Sequence, residues 1–240
     1  MTTGRIAFVG DVHLDRDLDQ VHAFTAFLEQ LGGHCSAVVL MGDLFDLWIG
    51  DDACQREHHR LVTAALQRLR DRGLEVHYVE GNRDYRIGRV AGEPFDAVHE
   101  EAAVFRRAGR TLTAVHGDLA NRRDRRYRMW RAGSRSALFW GLFRLLPASR
   151  RARVAEGLER RMRSTNRAYK AHVSEGVIRE YAESFVDDAS DGVVMGHFHV
   201  ERRLPLDRAE VFVLPEWKAG RRHLEWDGTG APEYVDSGGI

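Results

Sequence analysis

Apolar and polar positions follow two different patterns along the 240 residues. Short, nearly unbroken apolar runs occur at Ile6–Val9, Val38–Met41, Val76–Val79, Leu112–Val115 and Val193–Met195. Such runs lack the polar alternation of a half-exposed strand and predict strands buried on both faces, as in a parallel sheet. Between them the spacing lengthens to three and four residues. Val21, Phe24, Leu28 and Leu31 predict a helix over Leu18–Leu31, stopped by Gly32-Gly33. Leu61, Ala65, Leu66 and Leu69 predict a second over Gln55–Arg72, ended by Gly73. Gly88–Arg110 has weak character, and Thr111–His116 is the next strand.

After His116 the alternation of strand and helix stops. Asn121 to Arg163 is Arg-rich and contains an apolar island, Ala137–Leu146, with Pro147 as a break. From Val154 through Leu158, Met162, Tyr169, Val173, Val177 and Tyr181 to Phe185 the spacing is mostly four residues, which predicts one long helix or two in series. Residues 121–173 are therefore expected to form a helical cap inserted within a single domain spanning 1–240. Val211–Leu214 and Arg222–Trp226 are expected as antiparallel strands completing a second sheet, with Asp227–Ile240 frayed.

Charge sharpens the picture of the insertion. The chain carries 36 basic and 36 acidic residues, a formal net charge of zero. Asn121–Lys170 nevertheless holds 15 Arg and one Lys against Asp124, Glu156 and Glu159, a net +13. An acidic body with a basic insertion points to cations in the first and an anionic partner for the second. Cys35 and Cys54 are too few for a disulfide framework and fit a reducing cytosol. No stretch approaches the ~20 apolar residues of a spanning helix, and no signal peptide is evident. The expected location is cytoplasmic.

Candidate chemistry gathers where the apolar runs end. Asp11 and His13 follow the first run, Gly42-Asp43 the second and Gly81-Asn82-Arg83-Asp84 the third; His116-Gly117-Asp118 and Gly196-His197-Phe198-His199 follow the fourth and fifth. Open α/β sheets place ligands at the carboxyl ends of their strands. Oxygen and imidazole donors from five such ends suit Mn²⁺, Fe or Zn²⁺ better than Ca²⁺. An Asn amide is a neutral ligand, and the planar fork of Arg83 suits phosphoryl oxygens. Asp118 is a candidate to orient the His116 imidazole. His22 and His34 have no metal-like context, and His58 and His59 are assigned to a solvated helix face. Phe45, Leu47, Trp48 and Ile49 form an apolar loop that closes the core beside the site or lines an apolar pocket.

The ordered set D-x-H, G-D, G-N-x-D, H-G-D and G-H-x-H resembles the calcineurin-like metallophosphoesterase superfamily. Within it, Gly42–Asp52, Gly81–Tyr85, the Arg-rich insertion and Val213-Leu214 followed by Trp217 resemble the UDP-2,3-diacylglucosamine diphosphatases of lipid A synthesis. The resemblance covers about Arg5 to Trp226. It implies an α/β fold, an αββα sandwich of two mixed sheets flanked by helices, with the helical cap. It also implies two divalent ions, taken as Mn²⁺, and hydrolysis of a UDP-linked acylated glucosamine to UMP and 2,3-diacylglucosamine 1-phosphate. Carried onto this sequence, Asp11, His13, Asp43 and His199 hold one ion; Asp43 (bridging), Asn82, His116 and His197 hold the other. Asn82, Arg83, Asp124 and His197 touch substrate, and Asn82, Arg83 and His116 are the expected catalytic residues. In the cap the family uses a Ser, an Asn and a Lys where this chain has Asn166, Lys170 and Val173; Asn166 and Lys170 are the expected contacts there.

The flanking arginines and apolar island of the cap suit the inner face of a membrane, so peripheral attachment is expected. Nucleic-acid binders interleave aromatics with basic residues; here Phe139, Trp140 and Phe143 cluster instead, and no nucleic acid is expected. Two alternatives stand beside this reading. One is a metallophosphoesterase acting on another nucleotide-sugar, phosphodiester or nucleic acid; the other is a non-catalytic scaffold on the same fold. The sequence does not fix the oligomeric state.

Overall fold

Each buried run becomes a strand whose two faces serve two different cores. In a computed structural model describing residues 4–90, 94–163 and 174–238, β1 (Arg5–Val9) directs Ile6 and Phe8 to one side and Ala7 and Val9 to the other. β1 pairs in parallel with β2 (Cys35–Leu40), which pairs with β4 (Glu75–Val79), which pairs with β6 (Ala97–His99). β12 (Arg222–Trp226) runs antiparallel to the other edge of β1, and β13 (Glu233–Asp236) pairs with β12. The first sheet is thus ordered β13-β12-β1-β2-β4-β6.

The second sheet joins β7 (Ala102–Arg107), β8 (Arg110–Val115), β9 (Gly192–Met195), β10 (Arg202–Pro205) and β11 (Glu210–Val213) in the order β10-β11-β9-β8-β7. β8, β9 and β11 are parallel, and the edge strands are antiparallel. Ile6, Phe8, Val39 and Met41 of the first sheet meet Ala114, Val194 and Phe212 of the second. Helices α1 (Leu18–Leu31) and α2 (Glu57–Asp71) cover the outer face of the first sheet through Val21, Phe24, Leu28, Val62, Leu66 and Leu69. On the outer face of the second sheet Ile178 and Ala182 of α6 (Glu175–Glu183) pack against Val193 and Val211. The αββα sandwich follows from strands apolar on both faces, since each sheet needs a cover on both sides.

Between β8 and α6 lie α3 (Arg125–Arg135), α4 (Ala137–Leu145) and α5 (Ala148–Arg163). Trp140, Phe143 and Ala155 of this insertion pack on Leu47, Ile49 and Tyr85. The apolar loop therefore does two jobs. Phe45 and Trp48 enter the core of the first sheet, while Leu47 and Ile49 seat the inserted helices. Trp48–Ile49 (β3) also pairs with Asp84–Tyr85 (β5), tying that loop to the next one. The insertion is pinned by charge as well. Glu156 of α5 accepts from Arg56 at 2.8 Å, and Arg151 pairs with Asp51.

Several sequence expectations change. Arg222–Trp226 completes the first sheet rather than the second, because antiparallel pairing with β1 covers an otherwise open edge. Asp227 onward is not simply frayed; Glu233–Asp236 is strand β13. Gly88–Arg110 contains β6 and β7, too short or too polar to show as apolar runs. Val177, Tyr181 and Phe185, beyond the expected end of the cap, pack on the second sheet. His58 and His59 are buried, not solvated, because Phe45 packs edge-on against both rings. Burial pushes the His59 pKa down to about 3, and its Nδ1 accepts the Arg56 N–H at the start of α2.

Candidate metal centre

Parallel pairing brings the carboxyl ends of β1, β2 and β4 to one rim, and β8 and β9 deliver theirs to the same place. Asp11, His13 and His199 present donor atoms within 4.8 Å of one another, and so do Asp11, Asp43 and His116. The two groups share Asp11. His13 Nε2 lies 3.2 Å from His199 Nε2 and 3.9 Å from Asp43 Oδ2. His116 Nε2 lies 3.7 Å from Asp43 Oδ1 and 3.3 Å from the Asn82 amide oxygen. The His197 ring stands edge-on to His116, with centroids 5.2 Å apart, and its backbone N–H donates to Asp11 Oδ2 at 2.6 Å. The expected metal ligands thus face one another from five strand ends.

The backbone at these positions is unusual. Asp11, His13, Asp43, His197 and His199 all have φ between +50° and +72°, a region non-glycine residues avoid. Such strain persists only where the surroundings over-determine it, and it concentrates at functional sites. Gly42 lets the turn close. Its φ is +81°, and a Cβ there would stand 2.7 Å from His116 Nδ1 and 2.6 Å from the Gly81 nitrogen.

A backbone carbonyl fixes the His116 imidazole. His116 Nδ1 lies 2.8 Å from the Met41 carbonyl, which can only accept, so Nδ1 carries the proton and Nε2 is offered to the site. Asp118, expected in that role, faces the insertion instead: it accepts from Tyr127 Oη and from Arg131 Nε, the latter at 2.8 Å. Asp46 lies 3.9 Å from His13 Nδ1, and Glu216 lies 3.6 Å from His199 Nδ1. Asp84 Oδ2 accepts from the backbone N–H groups of Asp43 and Gly81, both at 2.8 Å, joining two of the loops. Burial first, then the nearby Asp43 carboxylate, push the Asp84 pKa upward.

Arg83 is 7% exposed, which removes the reading of a surface ion pair. Its backbone N–H donates to Asp43 Oδ1 at 2.9 Å, and its Nη1 donates to the Asp46 carbonyl at 3.2 Å. Its guanidinium is held 3.7 Å from Asp43. Asp124 caps α3, accepting the Tyr127 N–H at 2.9 Å, and is exposed. Asn166, Lys170 and Val173 lie outside the described residues.

Sequence reading missed the staple between the insertion and the Asn82–Arg83 loop. Arg135 of α3 donates to Glu80 Oε2 at 2.5 Å, to the Gly81 carbonyl at 2.7 Å and to the Asp84 carbonyl at 3.2 Å. Glu80 Oε1 in turn accepts the Ile87 N–H at 2.8 Å. Tyr127, Arg131 and Arg135 recur at four-residue steps on α3. That spacing is the one available signal, and it is hidden among 15 arginines in Asn121–Lys170.

The donor set fits divalent metals. Asp11 and Asp43 are fully buried carboxylates, whose charge is costly to bury without cations or hydrogen bonds to offset it, and imidazole with carboxylate oxygen suits first-row ions. Residues 5–142 match the calcineurin-like phosphoesterase superfamily domain, and the chain belongs to that superfamily. Its relatives include a UDP-2,3-diacylglucosamine hydrolase of Pectobacterium carotovorum subsp. carotovorum (strain PC1), 35% identical over 150 residues, 62% of either chain. Another, of Yersinia pseudotuberculosis serotype O:1b (strain IP 31758), is 29% identical over 216 residues, 88% of this chain and 90% of the relative. The fold is also similar to that of an archaeal phosphodiesterase, with a TM-score of 0.51 at 10% identity, covering 97% of this chain and 99% of the other.

Proposed function

We propose that the protein is a two-metal hydrolase cleaving the pyrophosphate of UDP-2,3-diacylglucosamine to UMP and 2,3-diacylglucosamine 1-phosphate, a step of lipid A synthesis. The observation that carries this reading is a polar site with an apolar neighbour. The buried Arg83 fork stands beside Asp43, and the same two loops supply Leu47, Ile49 and Tyr85 to an apolar cluster with Trp140 and Phe143. A substrate with an anionic bridge and acyl chains requires that adjacency.

Asp11, His13, Asp43 and His199 would hold one ion, and Asp43, Asn82, His116 and His197 the other; Mn²⁺ suits the mixed oxygen and imidazole donors. Such ions, when bound, supply a nucleophile from water near neutral pH and offset charge on phosphoryl oxygens. The chain's own part is positioning. Arg83 presents a cation already desolvated, so its attraction for a phosphate oxygen is stronger than at a surface. The Met41 carbonyl keeps His116 in one tautomer, and Asp84 holds the Asp43 and Gly81 turns together. Asn82, Arg83, Asp124, Asn166, Lys170 and His197 are the proposed substrate contacts.

Residence on the cytoplasmic face of the inner membrane is part of the proposal. No helix among the described residues is long and apolar enough to cross a membrane. Leu138, Leu142 and Leu145 share one exposed face of α4, with Arg144 and Arg150 also exposed nearby in sequence. An apolar face flanked by cations suits an interface with anionic headgroups.

The test compares UMP release from UDP-2,3-diacylglucosamine with release from UDP-N-acetylglucosamine, which has no long acyl chains. Strong preference for the diacylated compound is expected. Equal rates, or preferential cleavage of single-stranded nucleic acid, would overturn the substrate. Replacing Leu138, Leu142 and Leu145 with Ser should weaken co-sedimentation with anionic liposomes while sparing a small soluble phosphodiester.

A further inference from the structure

A second set of metal-ligating side chains lies at the opposite end of the first sheet. His34 follows the C-terminus of α1, Cys35 is the first residue of β2, and Glu225 is on β12. β1 runs between those two strands, pairing Arg5 with Cys35 and Ala7 with Glu225, so the three residues meet across it. One donor atom from each of His34, Cys35 and Glu225 lies within 4.8 Å of the others. None of them belongs to the strand tips described above.

The imidazole geometry separates this cluster from an ordinary surface contact. His34 Nδ1 is 3.1 Å from the Gln30 carbonyl, and its Nε2 is 2.8 Å from Glu225 Oε1. Both neighbours can only accept. A neutral His34 that donates to Gln30 therefore turns the Nε2 lone pair on a carboxylate, which is repulsive unless a proton or a cation stands between them. A backbone carbonyl on Nδ1 with Nε2 directed at a shared centre is the arrangement that orients metal-binding histidines. His223 approaches the same oxygen from the other side: Nε2 is 3.0 Å from Glu225 Oε1, while Nδ1 is 3.2 Å from Ser237 Oγ, a hydroxyl that can donate as well as accept. Arg5 Nη1 holds the other oxygen, Oε2, at 2.9 Å, leaving Oε1 to act as a single donor.

We propose that His34, Cys35 and Glu225 form a separate site for a zinc-type divalent ion, with His223 or water completing the shell. Thiolate, imidazole and carboxylate together are the ligands zinc prefers, whereas the phosphoesterase centre contains no sulfur. The ion would join β12, and through it β13, to the start of β2. It would also place a cation beside a carboxylate oxygen that two imidazole nitrogens now approach at 2.8 and 3.0 Å. Burial, with Glu225 adding to it, pushes the free Cys35 thiol up to about 12, so binding should release its proton to solvent.

Cobalt(II) chloride alone is the probe, added to full-length protein already loaded with Mn²⁺. Thiolate-to-cobalt charge transfer absorbs in the near ultraviolet, and no expected ligand of the catalytic centre can produce it. The wild type should develop this band at one equivalent, and Zn²⁺ should abolish it by competition. Cys35→Ser should lose the band and keep its hydrolytic rate, whereas Cys54→Ser should retain the band. Glu225→Gln should weaken Co²⁺ binding by more than the roughly 10- to 100-fold that loss of an outer-sphere partner costs. His34 is half-exposed, so His34→Ala should fold, checked by circular dichroism, and should bind at least tenfold more weakly by the same measure. Absence of the band in the wild type, or an undiminished band in Cys35→Ser, would overturn the site. The cluster would then be an imidazolium–carboxylate network alone.

Discussion

Removing the Arg135 guanidinium should loosen the Asn82–Arg83 loop, proposed above to be catalytic, from a distance. Arg135 is 16% exposed and Glu80 4%, so the pair is largely desolvated. Breaking a buried pair on one side costs about 3–5 kcal/mol, because the partner charge is left uncompensated. Partial exposure of Arg135 and the upward shift of the Glu80 pKa by burial both set Arg135→Ala near the lower end, about 3 kcal/mol. For a chain of this size that is a fall in Tm of roughly 6–12 °C. The carbonyls of Gly81 and Asp84 are released together, and they bracket Asn82 and Arg83. A displacement of even ~1 Å there is expected to reduce kcat by up to about 100-fold. Arg135→Lys keeps the charge opposite Glu80 but cannot span the carboxylate and both carbonyls, so it should recover most of the Tm and less of kcat. Adding Glu80→Gln to Arg135→Ala removes the orphaned charge and should restore stability by at least ~1 kcal/mol, a coupling a double-mutant cycle resolves. Thermal melts with steady-state kinetics on the wild type, these three variants and the single Glu80→Gln variant decide the matter. Arg135→Ala within a degree of wild type and with unchanged kcat would refute the staple.

Asp43→Ala should remove a carboxylate common to both proposed ion sites, lowering kcat by more than ~100-fold, about 2.7 kcal/mol, with a parallel loss of bound metal by elemental analysis. Arg83→Lys, which keeps the charge but not the fork, should retain its metal and lose about 10-fold or more in kcat, up to the roughly 100- to 1000-fold of removing one electrostatic stabiliser; unchanged kinetics would count against a phosphate-binding fork. His59 gives a pH signature. Its folded pKa, about 3, lies below the unfolded ~6.5, so its contribution is complete above pH ~6.5 and is lost as pH falls toward 3. Between about pH 7.5 and 4.5 this one group removes roughly 2–3 kcal/mol, and His59→Gln should flatten that part of the denaturant-midpoint profile.

The sequence by itself determined the elements with a strong period and the chemistry at their ends. Leu18–Leu31 is helical over the predicted span because its apolar stripe and the Gly32-Gly33 stop agree. The five apolar runs are strands because nothing polar interrupts both faces at once. The seven expected ligands are legible because each stands one to four residues past such a run, where parallel strands must end together. Tertiary structure decided whatever depends on partners distant in the chain. Arg222–Trp226 has the same alternation whichever sheet receives it, and only the open edge of β1 selects the first. His58 and His59 look like a polar helix face until Phe45 covers them. Asp118 looked like the orienter of His116 because the two are neighbours in sequence. The left-handed backbone around Gly117 is instead accompanied by His116 turning to Met41 and Asp118 to Arg131. Local spacing records the period of an element, but the direction of a side chain from a loop is fixed by contacts that close only when the two sheets meet.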